Sequence, residues 1–144
     1  MQLDPYLHFN GNCEEAFKLY EKALGGKITF KTTYGEAPKE AQSSPDFNNK
    51  IMHMRLDLNG RVLMGSDVPK DRYQPPQGFS LSISTKDPAE ADRVFNEVSK
   101  GGNIIMPIQK TFWSPRFGMC TDRFGIPWMV NTEQPASQQA AHGN

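Results

Sequence analysis

The chain has 144 residues, with 16 Lys or Arg balanced by 16 Asp or Glu, and 37% of its residues are hydrophobic. That length suits one domain or two small halves sharing a core, and a formal net charge of zero excludes the basic excess on which a general nucleic-acid or anionic-membrane binder relies. No apolar run approaches the ~20 residues of a membrane helix, the start Met1-Gln2-Leu3-Asp4 lacks the basic and apolar regions of a secretory signal, and two cysteines, Cys13 and Cys120, are too few for a disulfide framework. The expectation is a reduced cytoplasmic protein with neither nucleic acid nor membrane as partner.

From Leu3 to Phe9 apolar residues alternate, which predicts a half-buried strand ended by Asn10-Gly11-Asn12. A helix follows, with Ala16, Phe17, Tyr20, Ala23 and Leu24 on one stripe, Asn12 as its N-cap, Glu14 and Glu15 in the first turn, and Gly25-Gly26 at its end. Lys27 to Tyr34 is β-rich, with Ile28 and Phe30 expected on one face. The stretch from Gly35 to Lys50 is polar and reads as a long loop. Ile51 to Leu58 is the clearest strand, Met52, Met54, Leu56 and Leu58 alternating with His53, Arg55 and Asp57; Asn59-Gly60 is a hairpin turn, and Arg61 to Ser66 is its return strand. Residues 68–77 carry three prolines and read as a linker.

The pattern then restarts. Phe79, Leu81 and Ile83 alternate with serines. A helix follows, capped by Asp87 before Pro88, with Ala91, Val94, Phe95 and Val98 on one face and Gly101-Gly102 at its end. Ile104 to Ile108 is a strand, Met119 to Thr121 and Trp128 to Thr132 form a final pair around a turn at Asp122, and residues 134–144 form a flexible tail. Glu14, Glu21, Gly25, Gly26 and Ile28 recur 76 residues later, whereas the helical stripes match better at 75, so one residue slips between the copies. The fold class is therefore α+β: two tandem βαβββ modules, 3–67 and 78–133, forming one domain over 1–133 in which two mixed sheets curve into a cup.

Paired βαβββ modules are the hallmark of the vicinal-oxygen-chelate superfamily of glyoxalases, bleomycin-resistance proteins and extradiol dioxygenases. The blocks Pro5-Tyr6-Leu7-His8-Phe9-Asn10-Gly11-Asn12-Cys13-Glu14-Glu15-Ala16, Thr111-Phe112-Trp113, Phe117-Gly118, Asp122-Arg123-Phe124-Gly125 and Trp128-Met129-Val130-Asn131 resemble its PhnB-like branch over about residues 3 to 133. That branch often carries a ubiquinone-pathway methyltransferase label, yet no Gly-rich strand-to-helix turn of a nucleotide methyl donor appears. The resemblance also implies a homodimer. Superfamily enzymes hold a divalent metal with four His or Glu ligands; the matching positions here fall on Pro5 or Asp4, Arg55, Gly78 and Met129, so the resemblance implies no cofactor in this chain. A relocated divalent metal on His8, His53, Asp57 and Asp4 is the alternative.

Alternation places His53, Arg55 and Asp57 on the cup side, with Arg55 either a fixed donor to an anion or carbonyl or a partner of Asp57. His8 shares that side and is a general base or a hydrogen-bonded residue at a dimer seam. Phe112, Trp113 and Phe117 sit in a loop segment and form a lid, a cup wall or a subunit contact. Met129 and Asn131 face the cup, opposite Trp128 and Val130. Cys120 is a nucleophile if a neighbouring cation stabilises its thiolate, and otherwise a buried, inert thiol. The expected ligand-binding set is thus His8, His53, Arg55, Phe112, Trp113, Phe117, Cys120, Met129 and Asn131, around a small-molecule ligand. The alternatives are an enzyme of lyase, isomerase or dioxygenase type, metal-dependent or metal-free, and a protein that chiefly pairs with another chain. Neither the substrate nor turnover is legible.

Overall fold

A computed structural model describes residues 1–42 and 44–134. The element order is β1 (Tyr6–Phe9), α1 (Cys13–Leu24), β2 (Lys27–Thr33), β3 (Ile51–Leu58), β4 (Arg61–Asp67), β5 (Leu81–Thr85), α2 (Pro88–Ser99), β6 (Asn103–Gln109), β7 (Phe117–Thr121) and β8 (Pro127–Thr132). The chain divides into two compact units at Gln74/Pro75. Each has one four-stranded mixed sheet and one helix, so the fold is α+β with no closed barrel. Of the tail expected at 134–144, residues 135–144 lie outside the described residues. No helix among the described residues is long and apolar enough to cross a membrane.

In the first unit the strand order is β1-β4-β3-β2, with β1 parallel to β4 and the other pairs antiparallel. Ala16, Phe17, Tyr20 and Ala23 bury one stripe of α1 against Leu7, Phe9, Met54 and Leu56. Each large apolar side chain taken fully out of water there contributes about 1.5–3 kcal/mol. The β3–β4 hairpin turns through Asn59 and Gly60 at φ 49° and 82°, the pair of left-handed residues that a two-residue type I′ turn requires. β1 is shorter than the alternation predicts. Pro5 has no N–H to donate, its carbonyl accepts from Met64 N–H, and Leu3 stays in solvent.

Asn12 precedes α1, but its side chain makes no capping bond. The cap comes from across the unit. Asp67, at the end of β4, accepts from the Cys13 N–H at 2.9 Å and from the Ile51 N–H at 2.8 Å, and is itself buried. A charge-assisted bond of this kind is worth about 1.5–3 kcal/mol, so one carboxylate ties the start of α1 to the start of β3.

The second unit repeats the layout, with order β5-β8-β7-β6 and β5 parallel to β8. Ala91, Val94, Phe95 and Val98 are buried on α2, with Cys120, Trp128 and Val130. Asp87 caps α2, accepting from the Ala89 N–H at 3.0 Å, and Pro88 fills the first helical position. Phe79 precedes β5 instead of joining it, and it is exposed. The slip between the repeats falls at a helix end. Pro88 stands 75 residues after Cys13, whereas Asn103 stands 76 after Lys27. The extra residue is Lys100, which lies between α2 and Gly101. Gly25 and Gly101 both turn the chain at positive φ, 76° and 77°.

Candidate functional site

Each sheet turns one face to its helix and leaves the other free of it. Register fixes which side chains share the helix-free face, because paired residues project to the same side and successive residues alternate. In the first unit one row across the sheet reads Phe30, Arg55, Met64, Tyr6, and the next contains Thr32, His53, Ser66 and His8. His8, His53 and Arg55 therefore lie on one face, as alternation predicts.

Rings cluster there. The Tyr6 hydroxyl is 3.0 Å from His53 Nδ1, and the two rings stack at 5.6 Å between centroids. Phe30 lies 5.7 Å from His53, and His8 lies 5.5 Å from Tyr6. Tyr6 and Phe30 remain 40% and 50% exposed, so their ring faces are accessible on the described chain. Arg55 Nε donates to Asp57 Oδ1 at 2.9 Å, a half-exposed ion pair that offsets the guanidinium charge.

Phe30 corrects an expectation. Ile28 and Phe30 do not share a face. Ile28 pairs with Leu56 but Phe30 pairs with Arg55, two residues of β2 against one step of β3. This β-bulge inserts Thr29 and turns Phe30 to the helix-free face beside His53. Tyr6 and Phe30 were absent from the expected set. The only sequence signal for Tyr6 was its alternation with Leu7 and Phe9, and a bulge leaves no signal that periodicity can read.

In the second unit the helix-free face carries a row of Met106, Met119, Met129 and Ser82, and beside it a row of Gln109, Phe117, Asn131 and Ser84. Met129 and Asn131 thus stand opposite the buried Trp128 and Val130. Phe117 belongs to β7 instead of the preceding loop, and it is buried. Trp113 meets its ring edge-on at 5.3 Å, and Phe112 meets Trp113 at 4.8 Å while remaining 81% exposed. Asn131 Oδ1 is buried and has no hydrogen-bond partner among the described residues.

The loop holding Phe112 and Trp113 is tied down at several points. Thr111 N–H donates to the Ser114 carbonyl at 2.9 Å. The buried Ser114 hydroxyl lies 2.7 and 2.8 Å from the Arg116 and Thr132 carbonyls. Arg116 Nε donates to Asp92 Oδ1 on α2 at 2.7 Å. These bonds tether the Phe112–Trp113 segment to β8 and α2.

Cys120 does not reach the helix-free face. It pairs with Trp128 on the helix side and is fully buried. Burial, with the nearby Asp122 charge, pushes its thiol up to about 11, the reverse of what a thiolate nucleophile needs. Cys13 is raised as well, first by burial and then by the Asp67 and Glu14 charges.

Of the positions that the resemblance matches to the superfamily's metal ligands, Pro5 or Asp4, Arg55, Gly78 and Met129, only Asp4 carries a carboxylate. Arg55 is paired to Asp57, Gly78 has no side chain, and Met129 is a thioether among thioethers. Among the described residues no three His, Cys, Asp or Glu side chains gather as a metal site. In the relocated alternative, His53 Nδ1 already faces the Tyr6 hydroxyl and Asp57 already holds Arg55.

With this geometry in view, the relatives are informative. The 3-demethylubiquinone-9 3-methyltransferase family profile matches residues 1–131. Protein YjdN of Escherichia coli K12 is 36% identical over 145 residues, covering 94% of this chain and 99% of that protein. The crystal structure of protein PA1353 from Pseudomonas aeruginosa is 44% identical, covers 94% of this chain and 99% of its own, and has a TM-score of 0.85. A putative 3-demethylubiquinone-9 3-methyltransferase, PhnB protein, from Bacillus cereus is 25% identical with a TM-score of 0.76, covering 92% and 99%. A glyoxalase/bleomycin resistance protein/dioxygenase family enzyme from Burkholderia phytofirmans, 11% identical at a TM-score of 0.64, shares the fold over 93% of this chain and 100% of its own. The chain belongs to the 3-demethylubiquinone-9 3-methyltransferase, PhnB-like family, and it has the fold of glyoxalase/bleomycin-resistance proteins.

Proposed function

We propose that the chain binds a small organic molecule without a metal, through the helix-free sheet faces. The observation that carries this reading is Asn131. A buried carboxamide oxygen without a donor costs about 1–3 kcal/mol, and this one lies beside Phe117 and the Met106, Met119 and Met129 row, at the end closed by Trp113. A ligand with an apolar or aromatic body and one N–H or O–H donor satisfies both features: thioethers and rings take the body, and Asn131 takes the donor. On the first unit, His8, His53 and Arg55 offer polar contacts beside exposed rings. Methyl transfer is not part of this reading, because no Gly-rich strand-to-helix turn is present to hold a nucleotide methyl donor.

The test is a thermal-shift and tryptophan-fluorescence screen of aromatic amines, phenols and amides on wild type and Asn131→Leu. Ligands of this class raise the melting temperature of wild type by mass action and change Trp113 emission. Asn131→Leu, of similar volume, removes the lone acceptor; it should keep or raise intrinsic stability while weakening donor-bearing ligands tenfold or more. A destabilised Asn131→Leu with unchanged binding assigns Asn131 to the scaffold and ends this reading.

A further inference from the structure

We propose that Tyr6 and His53 form a proton-transfer pair, acting on a planar aryl 1,3-dicarbonyl compound laid on the helix-free face of the first unit. This goes beyond ligand binding on the first unit's face, where His53 and Arg55 serve both readings, and it makes no use of Asn131, the residue that carries the binding reading.

The geometry is specific. Tyr6 and His53 come from strands 47 residues apart in sequence, yet the phenol oxygen is 3.0 Å from Nδ1 with the rings stacked. Both lie on the sheet face opposite α1, and Tyr6 is 40% exposed, so the pair is not sealed from a ligand. A phenol–imidazole pair can pass a proton along its hydrogen bond, since neutral imidazole accepts at one ring nitrogen while holding hydrogen on the other. Phe30, half exposed and 5.7 Å from His53, offers a second ring for a planar guest. Arg55 stands in the Phe30–Met64–Tyr6 row, with Nε on Asp57.

The step balances without an oxidant, reductant or co-reactant. The acidic C–H between the two carbonyls gives its proton to the Tyr6 oxygen as the phenol's own proton passes to His53 Nδ1. The C–H bond and the original Tyr6 O–H bond break; a new Tyr6 O–H bond and a His53 N–H bond form. The products are an enolate and an imidazolium, charge for charge, and the Arg55 guanidinium on the same row favours the enolate oxygens. Reversing the relay, with the proton delivered to an enolate oxygen, yields the enol, so the net reaction is keto–enol tautomerisation. A 1,3-dicarbonyl suits the pair because its C–H is acidic for a neutral carbon and its enolate is flat enough to lie against Phe30 and His53.

The experiment uses the full chain with benzoylacetone, following relaxation of the enol to the keto form by stopped-flow absorbance. Wild type is expected to relax the probe at least tenfold faster than buffer holding the same concentration of free imidazole and phenol. Tyr6→Phe and His53→Gln each lose at least nine-tenths of that acceleration, with thermal melts close to wild type because Tyr6 is largely exposed. Phe30→Leu raises the half-saturating probe concentration more than it lowers the saturated rate. As a readout independent of turnover, the His53 Nδ1 nitrogen resonance shifts in Tyr6→Phe. Wild type no faster than the imidazole and phenol control, or a Tyr6→Phe variant at full rate, overturns the proposal. Neither result bears on Asn131, so failure here and failure of the binding reading are told apart.

Discussion

The Trp128 indole Nε1 donates a 2.8 Å hydrogen bond to Asp122 Oδ2, and both residues are buried. The other carboxylate oxygen accepts from the Phe124 and Ile126 N–H groups at 2.9 and 3.0 Å. The β7–β8 turn, closed also by backbone bonds between Asp122 and Gly125 and Ile126, thus shares with a core indole one side chain that holds both. Asp122→Ala removes the carboxylate that accepts from three N–H groups and should cost about 3–5 kcal/mol by urea denaturation, in the range for breaking a buried charged network. Asp122→Asn, which keeps an acceptor for part of the set, should cost less. An Asp122→Ala loss below about 1 kcal/mol contradicts this account.

The two thiols make stability fall at alkaline pH. In the folded chain Cys120 is pushed up to about 11 from an ordinary 9.0, and Cys13 is also raised, both chiefly by burial. The folded state therefore binds protons that the unfolded state releases. The stabilisation is complete below about pH 9 and is lost as pH climbs toward 11. Urea melts across that range should show the decline, and the Cys13→Ala/Cys120→Ala double variant should show a shallower one. At pH 8 a thiol reagent should label native protein roughly a hundredfold more slowly than urea-unfolded protein, because reaction waits on opening.

Glycine positions should rank by what a methyl group meets. A Cβ on Gly102 runs into the Thr121 carbonyl and the Asp122 backbone, neither of which can yield. On Gly65 it meets the buried Phe17 ring at 2.8 Å and the Leu7 carbonyl at 3.1 Å, a milder clash than at Gly102. On Gly25 it meets nothing within 4 Å, and only the positive φ of 76° resists. Gly25→Ala should cost about 1–2 kcal/mol, Gly65→Ala about 1–3 kcal/mol, and Gly102→Ala the most. Thermal melts of the three variants check the order, which a more stable Gly102→Ala than Gly25→Ala would reverse.

Releasing the aromatic wall should alter Trp113 before it alters the fold. Arg116→Met keeps the aliphatic stem but loses the 2.7 Å bond to Asp92. Both partners are about a third or more exposed, so the stability cost should stay near or below about 1 kcal/mol. Trp113 anisotropy should fall, and aromatic ligands found by the screen should bind more weakly, because the wall must then be ordered on binding. Unchanged anisotropy places the restraint in Ser114 instead.

The faces of most strand residues in the candidate site are legible because strand alternation is a local property. Once Met54 and Leu56 are assigned inward, His53 and Arg55 must point outward, and the same reasoning separates Met129 and Asn131 from Trp128 and Val130. Where the chain departs from a two-residue period, that reasoning fails. Phe30 was assigned with Ile28 because nothing in Lys27–Thr33 announces the bulge at Thr29. Pro115, two residues before Phe117, reads as loop and masks the start of β7. Cys120 was included on the strength of its chemistry, although alternation with Met119 already sets it on the opposite face.

By itself the sequence determined the order strand, helix, three strands, twice over, together with the Asp87 cap of α2 and the Asn59-Gly60 hairpin, because burial period, local caps and turn preferences act over a few neighbours. Only the tertiary structure decided that Asp67 caps α1 from 54 residues away, that Phe30 turns toward His53, and that Tyr6 meets His53 across the sheet. Cross-strand register sets these relations, and register depends on distant partners: one inserted residue reverses the face of everything beyond it.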